Sequence, residues 1–138
     1  MRKKLLFFAG LLGLLLLSAC GGSSGPVKIT SITLARDDGS GSPGQTVTDF
    51  KPTDHTFYAT VTLDHLETGL KVKLTWVAVD AGGETNKEID SSEFSALVAN
   101  TINGKLSLPN DWPTGKYRLD VYLNDALAQS QSFNVVSS

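Results

Sequence analysis

The sequence predicts an all-β fold in which two antiparallel sheets pack face to face as a β-sandwich. Short runs rich in Val, Ile, Thr and aromatic residues alternate between apolar and polar positions, and clusters of Gly, Pro, Asn and Asp separate the runs. About seven strands of this kind, each with one buried face, are typical of a sandwich. We place the domain at residues 27–138, because a chain of this length supports one core and not two.

The first part of the domain is predicted to contain two strands separated by a long loop. Val27–Ala35 is rich in β-branched residues and forms the first strand. Asp37–Gly44 is predicted to be a loop, because Gly and Pro at this density do not continue a strand. Thr56–Leu63 then alternates cleanly and forms the second strand. Its apolar positions, which we expect to face the core, are Phe57, Ala59, Val61 and Leu63.

The middle of the domain is predicted to contain one clear strand and two weaker ones. Lys71–Asp80 alternates, with Trp76 among its inward-facing residues. Thr85–Asp90 is predicted to be a short edge strand, and Lys105–Leu108 another short strand. Between these two, Ser92–Ala99 is compatible with a weak helix and equally with a loop.

The last two strands are predicted to form a hairpin. In Lys116–Leu123 the apolar positions, including Tyr117 and Leu119, share one face. Asn124-Asp125 supplies the turn, because Asn and Asp tolerate the left-handed backbone that tight hairpins require. The chain then returns along Leu127–Val136.

Residues 50–136 resemble an immunoglobulin-like domain found in bacterial lipoproteins and other envelope proteins. The most specific feature is the Trp-Pro-x-Gly-x-Tyr pattern of Trp112-Pro113-Thr114-Gly115-Lys116-Tyr117-Arg118. Trp76 in the third strand also matches the core tryptophan of such domains. The other matching segments are Phe50-Lys51-Pro52-Thr53-Asp54, Tyr58-Ala59, Val121-Tyr122-Leu123 and Ser132-Phe133-Asn134-Val135.

The resemblance implies several structural features. The Tyr117 hydroxyl is expected to bond to nearby backbone, and Trp112 with Pro113 to form a rigid turn that lays an indole over the end of the sandwich. Aliphatic side chains near Val61 and Leu119 would replace the disulfide of antibody domains. Domains of this kind look like binding or spacer modules, and they bring no shared catalytic residues.

The amino-terminal segment has the pattern of a secretory signal. Basic residues at positions 2–4 precede the uncharged run Leu5–Leu17, which is shorter than the roughly 20 residues that span a bilayer. Leu17-Ser18-Ala19-Cys20 then resembles the lipobox of bacterial lipoproteins. The resemblance implies a signal peptide over residues 1–19, a diacylglyceryl group on the Cys20 sulfur, and a further acyl chain such as palmitate on its amine. Residues 20–26 follow as a lipidated, Gly/Ser-rich flexible tether.

Lipidation at Cys20 predicts where the protein resides and how it is held there. Two or three acyl chains anchor a protein durably, whereas one binds only marginally. We therefore expect membrane attachment in the bacterial cell envelope. In an organism with two membranes this is the outer membrane, since Gly21 differs from the aspartate that resembles an inner-membrane retention signal. In an organism with one membrane it is the outer face of the plasma membrane.

Composition and motifs argue against most catalytic and nucleic-acid functions. The chain has 12 basic and 14 acidic side chains, and without its basic start the acidic excess grows, which disfavours nucleic-acid binding. Cys20 is the only cysteine, so once it is acylated the domain has no disulfide, thiolate metal site or catalytic thiol. His55 and His65 flank the second strand and are expected at opposite ends of the sandwich. We expect no catalytic residues, no metal site and no cofactor. The acidic pairs Asp37-Asp38 and Asp90 with Glu93 are predicted to be solvated acidic groups rather than calcium sites.

These observations predict a non-enzymatic, lipid-anchored module that contacts an envelope protein or serves as an accessory subunit. The candidate contact surfaces are the loops at the sandwich ends, Asp37–Asp49, Ala81–Glu88 and Asp111–Gly115. The candidate contact residues are Trp112 in the last of these loops, together with Tyr58 and Tyr122, which the alternation places outside the core. Sheet edges could also recruit a strand from a partner. The alternative hypothesis is a lipoprotein that binds a small ligand or glycan by stacking it on these exposed aromatic side chains.

Overall fold

A computed structural model of the protein describes residues 25–137, and this part of the chain is all-β. The predicted signal peptide, Cys20 and most of the tether lie outside the described residues. No helix within residues 25–137 is long and apolar enough to cross a membrane. The strands in this range are β1 (Ile29–Asp37), β2 (Pro43–Val47), β3 (Asp49–Phe50), β4 (Thr56–Leu63), β5 (Val72–Ala81), β6 (Glu84–Phe94), β7 (Thr101–Ser107), β8 (Gly115–Leu123) and β9 (Ala126–Val135).

The strands form two sheets, as the sequence predicts. One sheet has the order β2-β1-β4-β7 and the other the order β3-β9-β8-β5-β6. All neighbours are antiparallel except β3 and β9, which run parallel. Consequently β7 and β6 are edge strands of the two sheets, and the side chains between the sheets form a single core.

Two strands lie outside the strands that the sequence pattern predicts. β2 begins at Pro43, inside the predicted loop, and pairs with β1 at the edge of the first sheet. An edge strand tolerates Pro and Gly because one row of its backbone groups needs no partner. β3 is only two residues long, and Phe50 fixes it by burying its ring completely. Its partner β9 is distant in the chain, so local patterning carries no signal for this pair.

The segment predicted as a weak helix or a loop contains no helix. β6 runs to Phe94, four residues beyond the predicted end at Asp90, and β7 begins at Thr101 rather than Lys105. The connection between them includes Ala96 with a positive φ of 52°, which a helix would not accommodate. The ladder to β5 extends β6, because Val72 pairs with Phe94 at its far end.

The predicted alternation of buried and polar side chains is confirmed in the central strands. Val61 and Leu119, the aliphatic residues at the expected disulfide positions, have no exposed surface. Trp76 is 2% exposed and lies in the same core. Aromatic rings fill one half of that core, with Phe57 at their centre: its ring stacks on Phe50 at 4.1 Å between centroids. Packed rings of this kind stabilise by their buried area and by about 0.5–1.5 kcal/mol per pair beyond it.

The Tyr117 hydroxyl closes the loop before β8, as the resemblance implies. It donates a hydrogen bond of 2.6 Å to the Pro113 carbonyl four residues earlier. The ring is 2% exposed and stacks on Phe133 at 5.5 Å, and burial raises the pKa of the phenol. The bond therefore ties the Trp112-Pro113 turn to the core.

Removing only this hydroxyl tests the turn. We expect Tyr117→Phe to lower the free energy of unfolding by about 1–2 kcal/mol, because the Pro113 carbonyl loses a strong donor. Tyr122→Phe is the matched control, since the Tyr122 hydroxyl makes no hydrogen bond within residues 25–137 and its loss should change stability by less than about 0.5 kcal/mol. Urea unfolding followed by tryptophan fluorescence measures both, and equal effects would contradict a structural role for the Tyr117 bond.

Candidate interaction site

Trp112 lies inside the sandwich end rather than on its surface. The residue is 4% exposed, and its ring stacks on Phe57 with 4.6 Å between centroids. It also meets Tyr117 edge-on at 6.2 Å. The expected rigid turn over the sandwich end is present, but the alternative hypothesis needs this indole exposed for stacking, and the structure shows it buried.

The two candidate tyrosines occupy different environments. Tyr58 is on the outer face of its sheet, yet it is only 5% exposed, and its hydroxyl donates a hydrogen bond of 3.1 Å to Oδ2 of Asp37, the last residue of β1. Burial, followed by this bond, raises its pKa. Tyr122 is half-buried, and the Lys73 ammonium lies 4.6 Å from its ring centroid. Only Tyr122 therefore keeps an accessible ring, and the candidate residues do not converge on one site.

The polar loops hold their own side chains in place. Asp37 Oδ1 accepts hydrogen bonds from the amides of Gly39 and Gly41, and Asp38 Oδ1 accepts from both the hydroxyl and the amide of Ser40. The Ser40 bonds hold the pKa of Asp38 below its usual value. Within residues 25–137 no three His, Cys, Asp or Glu side chains gather closely enough to hold a metal ion.

The histidines pair with separate acidic groups on either side of β4. His55 Nε2 lies 2.9 Å from Asp111 Oδ1. His65 Nδ1 lies 2.8 Å from Asp64 Oδ1, and its Nε2 lies 3.3 Å from Glu67 Oε1. Burial lowers the pKa of His65, but the bond to Glu67 and the charge of Asp64 outweigh burial and raise it overall. Each imidazole therefore lies beside its own carboxylate, and the two histidines do not share a site.

Asp120 is the buried carboxylate of the outer face of the second sheet. The residue is 5% exposed. Its Oδ1 accepts hydrogen bonds from Arg118 Nε at 2.8 Å and from the Ser130 hydroxyl at 2.6 Å. The charge is therefore compensated by its own neighbours, which is the condition for burying a carboxylate at modest cost.

Strand β6 has no cover on either face. Every residue from Glu84 to Glu93 is exposed, whereas alternate residues of the neighbouring edge strand β7 are buried. β6 pairs only with β5, so its other side presents a row of backbone donors and acceptors over 11 residues. The other edge strands are shorter: β7 has seven residues, β2 five and β3 two.

A cleft of about 300 Å³ opens beside the first half of β6. Its far wall is the loop before β8, with Trp112 and Pro113, and its floor includes Ala78 and Tyr117. Ile89, which is 38% exposed, stands on the β6 side. The rim residues from β6 are Glu84, Lys87 and Glu88. An apolar floor with a few charged groups at the rim is the usual composition of a binding cleft.

The Trp112 indole that borders this cleft carries a polar group without a partner. Its Nε1–H is buried and donates no hydrogen bond within the described part of the chain. An unpaired buried N–H costs about 1–3 kcal/mol, so such groups are rare in stable domains. At this wall of the cleft, the Trp112 ring is packed against Phe57 while its N–H group stays without a hydrogen bond.

Sequence patterning predicts the two loops that line this cleft, Ala81–Glu88 and Asp111–Gly115, but not the free strand edge beside it. The strand signal depends on one face being buried, and β6 has none, so its pattern shows only a polar run with a short predicted strand at Thr85–Asp90. The sequence contains one signal of an edge strand: four carboxylates and one lysine fall within β6, and charged side chains are typical of exposed sheet edges. The cleft itself depends on the loop before β8, which approaches only in the folded chain.

Comparison with known proteins supports the fold. No family model and no curated protein matches the chain. Among solved structures, an immunoglobulin-like protein from Pseudomonas aeruginosa aligns with a TM-score of 0.57 and 20% identity, over 83% of this chain and 100% of that one. An alkylpurine DNA glycosylase from Pseudomonas fluorescens, bound to DNA with an abasic site analog, aligns with a TM-score of 0.51 and 14% identity. That alignment covers 80% of this chain but only 30% of the glycosylase. The chain therefore has an immunoglobulin-like β-sandwich fold, as its sequence predicts, and these likenesses extend to the fold alone.

Proposed function

We propose that the protein is a lipid-anchored, non-catalytic interaction module of the bacterial cell envelope. The observation that carries this proposal is the uncovered strand β6 beside an apolar cleft, which is a surface built for contact rather than for chemistry. The lipobox at Cys20 supports the location, and the tether separates the sandwich from the membrane surface. The domain then reaches a neighbouring envelope protein while remaining attached.

The structure favours this function over glycan binding. Stacking a sugar requires exposed rings on one surface, but Trp112 and Tyr58 are buried and Tyr122 lies on another face, under Lys73. A titration with cell-wall sugars that follows tryptophan fluorescence tests the glycan alternative. Saturable quenching would support it, and a flat response is the expected result.

Photo-crosslinking in intact cells of the native organism tests the proposed function. A photoreactive amino acid is placed at Glu88 or Glu93 on β6, at Thr60 on the outer face of the first sheet, or at Asp125 in the hairpin turn at the end of β8. We expect a discrete adduct with an envelope protein from at least one exposed position at native expression. If no position yields an adduct while the protein remains correctly localised, the interaction function is wrong.

A further inference from the structure

We infer that the partner docks as an extended, basic segment that adds a strand to β6 and places an apolar side chain in the adjacent cleft. This inference rests on the proposed function and gives the partner its chemistry. The backbone edge, the charge and the cleft each contribute an independent argument.

The backbone edge provides the affinity for an added strand. Strand addition joins the unpaired donors and acceptors of a sheet edge to those of an incoming peptide. β6 is the longest free edge in the described chain, and no backbone bond joins its outer side to another segment there. The edge is interrupted near Ile89, where the register to β5 shifts, and at Asn86, whose φ is 47°. These irregularities discourage indiscriminate pairing and leave short regular stretches, of which Asp90–Phe94 is the longest, on which a matching strand can register.

The negative charge of β6 favours a positively charged partner. β6 contains four carboxylates and one lysine. Lys87 lies 3.6 Å from Glu84 and offsets it. The side chains of Glu88, Asp90 and Glu93 have no ion-pair or hydrogen-bond partner among residues 25–137, and all three are exposed. Lysine or arginine side chains on an added strand would lie directly opposite these carboxylates, where opposite charges stabilise pairing and like charges oppose it.

The cleft provides an anchor for one apolar side chain. It lies next to the first half of β6, and Ile89 borders it from the strand itself. Its volume of about 300 Å³ is at the lower end for small-molecule sites and is ample for a branched or aromatic side chain. Strand addition typically combines backbone pairing with such pockets, which supply the sequence preference.

A second copy of the chain fits this edge poorly. Pairing β6 with β6 would bring eight carboxylates together against two lysines, twice the excess of one strand. Like charges facing each other across a strand pair are destabilising. The edge therefore discriminates against self-association and favours a basic strand.

Peptide binding to the full lipidated chain in detergent tests the inference. The probe is a fluorescent synthetic peptide in which lysine or arginine alternates with valine or isoleucine. We expect saturable binding that weakens as salt rises, with slower hydrogen exchange at the amides of β6 in the complex. An acidic peptide with the same apolar residues is expected not to bind.

Three comparisons test the backbone ladder, the charge and the cleft separately. A peptide with alternate backbone nitrogens methylated keeps its charges but cannot form the ladder, so equal binding by this peptide would overturn the inference. The double variant Glu88→Lys/Glu93→Lys is expected to weaken binding about tenfold, as two repulsive pairs replace two attractive ones. Ile89→Ala is expected to weaken binding about threefold, because the partner's apolar side chain loses its contact with Ile89. Leu127→Ala, a change at an exposed apolar residue of β9, is expected to leave binding unchanged.

Other outcomes distinguish this inference from the proposed function. If crosslinks in cells arise only from Thr60 or Asp125, the protein is an interaction module but β6 is not its docking strand. If sedimentation shows a dimer and a photoreactive residue at Glu88 crosslinks one copy to another, the edge binds a second copy and the basic partner is excluded. If the basic peptide does not bind at all, the inference is wrong while the crosslinking result still decides the function.

Discussion

Replacing Gly115 with alanine is expected to destabilise the domain by about 3–5 kcal/mol, enough to unfold much of a domain of ordinary stability. Gly115 opens β8 with a φ of 148°, a conformation that residues with a side chain rarely adopt. An added Cβ would overlap the Asp80 carbonyl oxygen, and it would lie 2.8 Å from the Ala81 Cβ and 2.9 Å from the Ala81 Cα. These contacts are backbone or short side chain of β5, so no rotamer change relieves them.

A second glycine with a positive φ isolates the steric part of this effect. Gly83, in the turn between β5 and β6, has a φ of 80°, but an added Cβ there meets nothing within 4 Å. We therefore expect Gly83→Ala to cost only about 1–2 kcal/mol, the conformational part. Urea unfolding monitored by fluorescence compares the two variants, because Trp76 and Trp112 are both buried. Equal losses would show that the close approach of β5 to Gly115 does not constrain the fold.

Replacing Cys20 with serine is expected to abolish lipid attachment completely. The predicted modification forms a thioether on the sulfur, and a serine hydroxyl does not substitute for the far more nucleophilic thiolate. Each buried methylene contributes about 0.8 kcal/mol to membrane binding, so loss of two or three chains removes the whole anchor. Metabolic labelling with a palmitate analogue measures the change directly.

The tether provides the control for the lipidation experiment. Ser23→Ala alters a residue close to Cys20 without touching the segment that resembles the lipobox, so it should be labelled like the unaltered chain. After detergent phase partitioning, the labelled proteins are expected in the detergent phase. A Cys20→Ser protein that still incorporates the analogue, or an unaltered protein that never does, would refute the lipoprotein assignment.

The strands with one buried face are those that the sequence predicts well. In β4 and β8 the apolar residues alternate because one side meets the opposite sheet and the other meets water, and that alternation is visible in the chain itself. The hairpin turn is equally local: Asn124 and Asp125 have φ values of 48° and 69°, which their side chains tolerate. Tyr117 is also predictable, since its bond spans only four residues.

The features that the sequence does not predict depend on distant partners. β3 exists because Phe50 pairs with Val135 and fills the core, and neither its parallel pairing nor its length has a local signal. Trp112 is buried because its loop folds onto Phe57, and the Tyr58 hydroxyl is engaged by Asp37 at the end of β1. A side chain's position in the alternation specifies its face, but its exposure depends on what the rest of the chain lays over that face.

The sequence by itself determined the fold class, the core strands and the predicted lipid attachment at Cys20, because each follows from residues close together in the chain. Tertiary structure decided the candidate interaction site. β6 is a free edge because no strand of the described chain pairs with its outer side, and the cleft exists because the loop before β8 lies beside β6 in the folded chain. The physical reason is that burial and edge exposure are properties of the assembled sheets, which no single segment of the chain encodes.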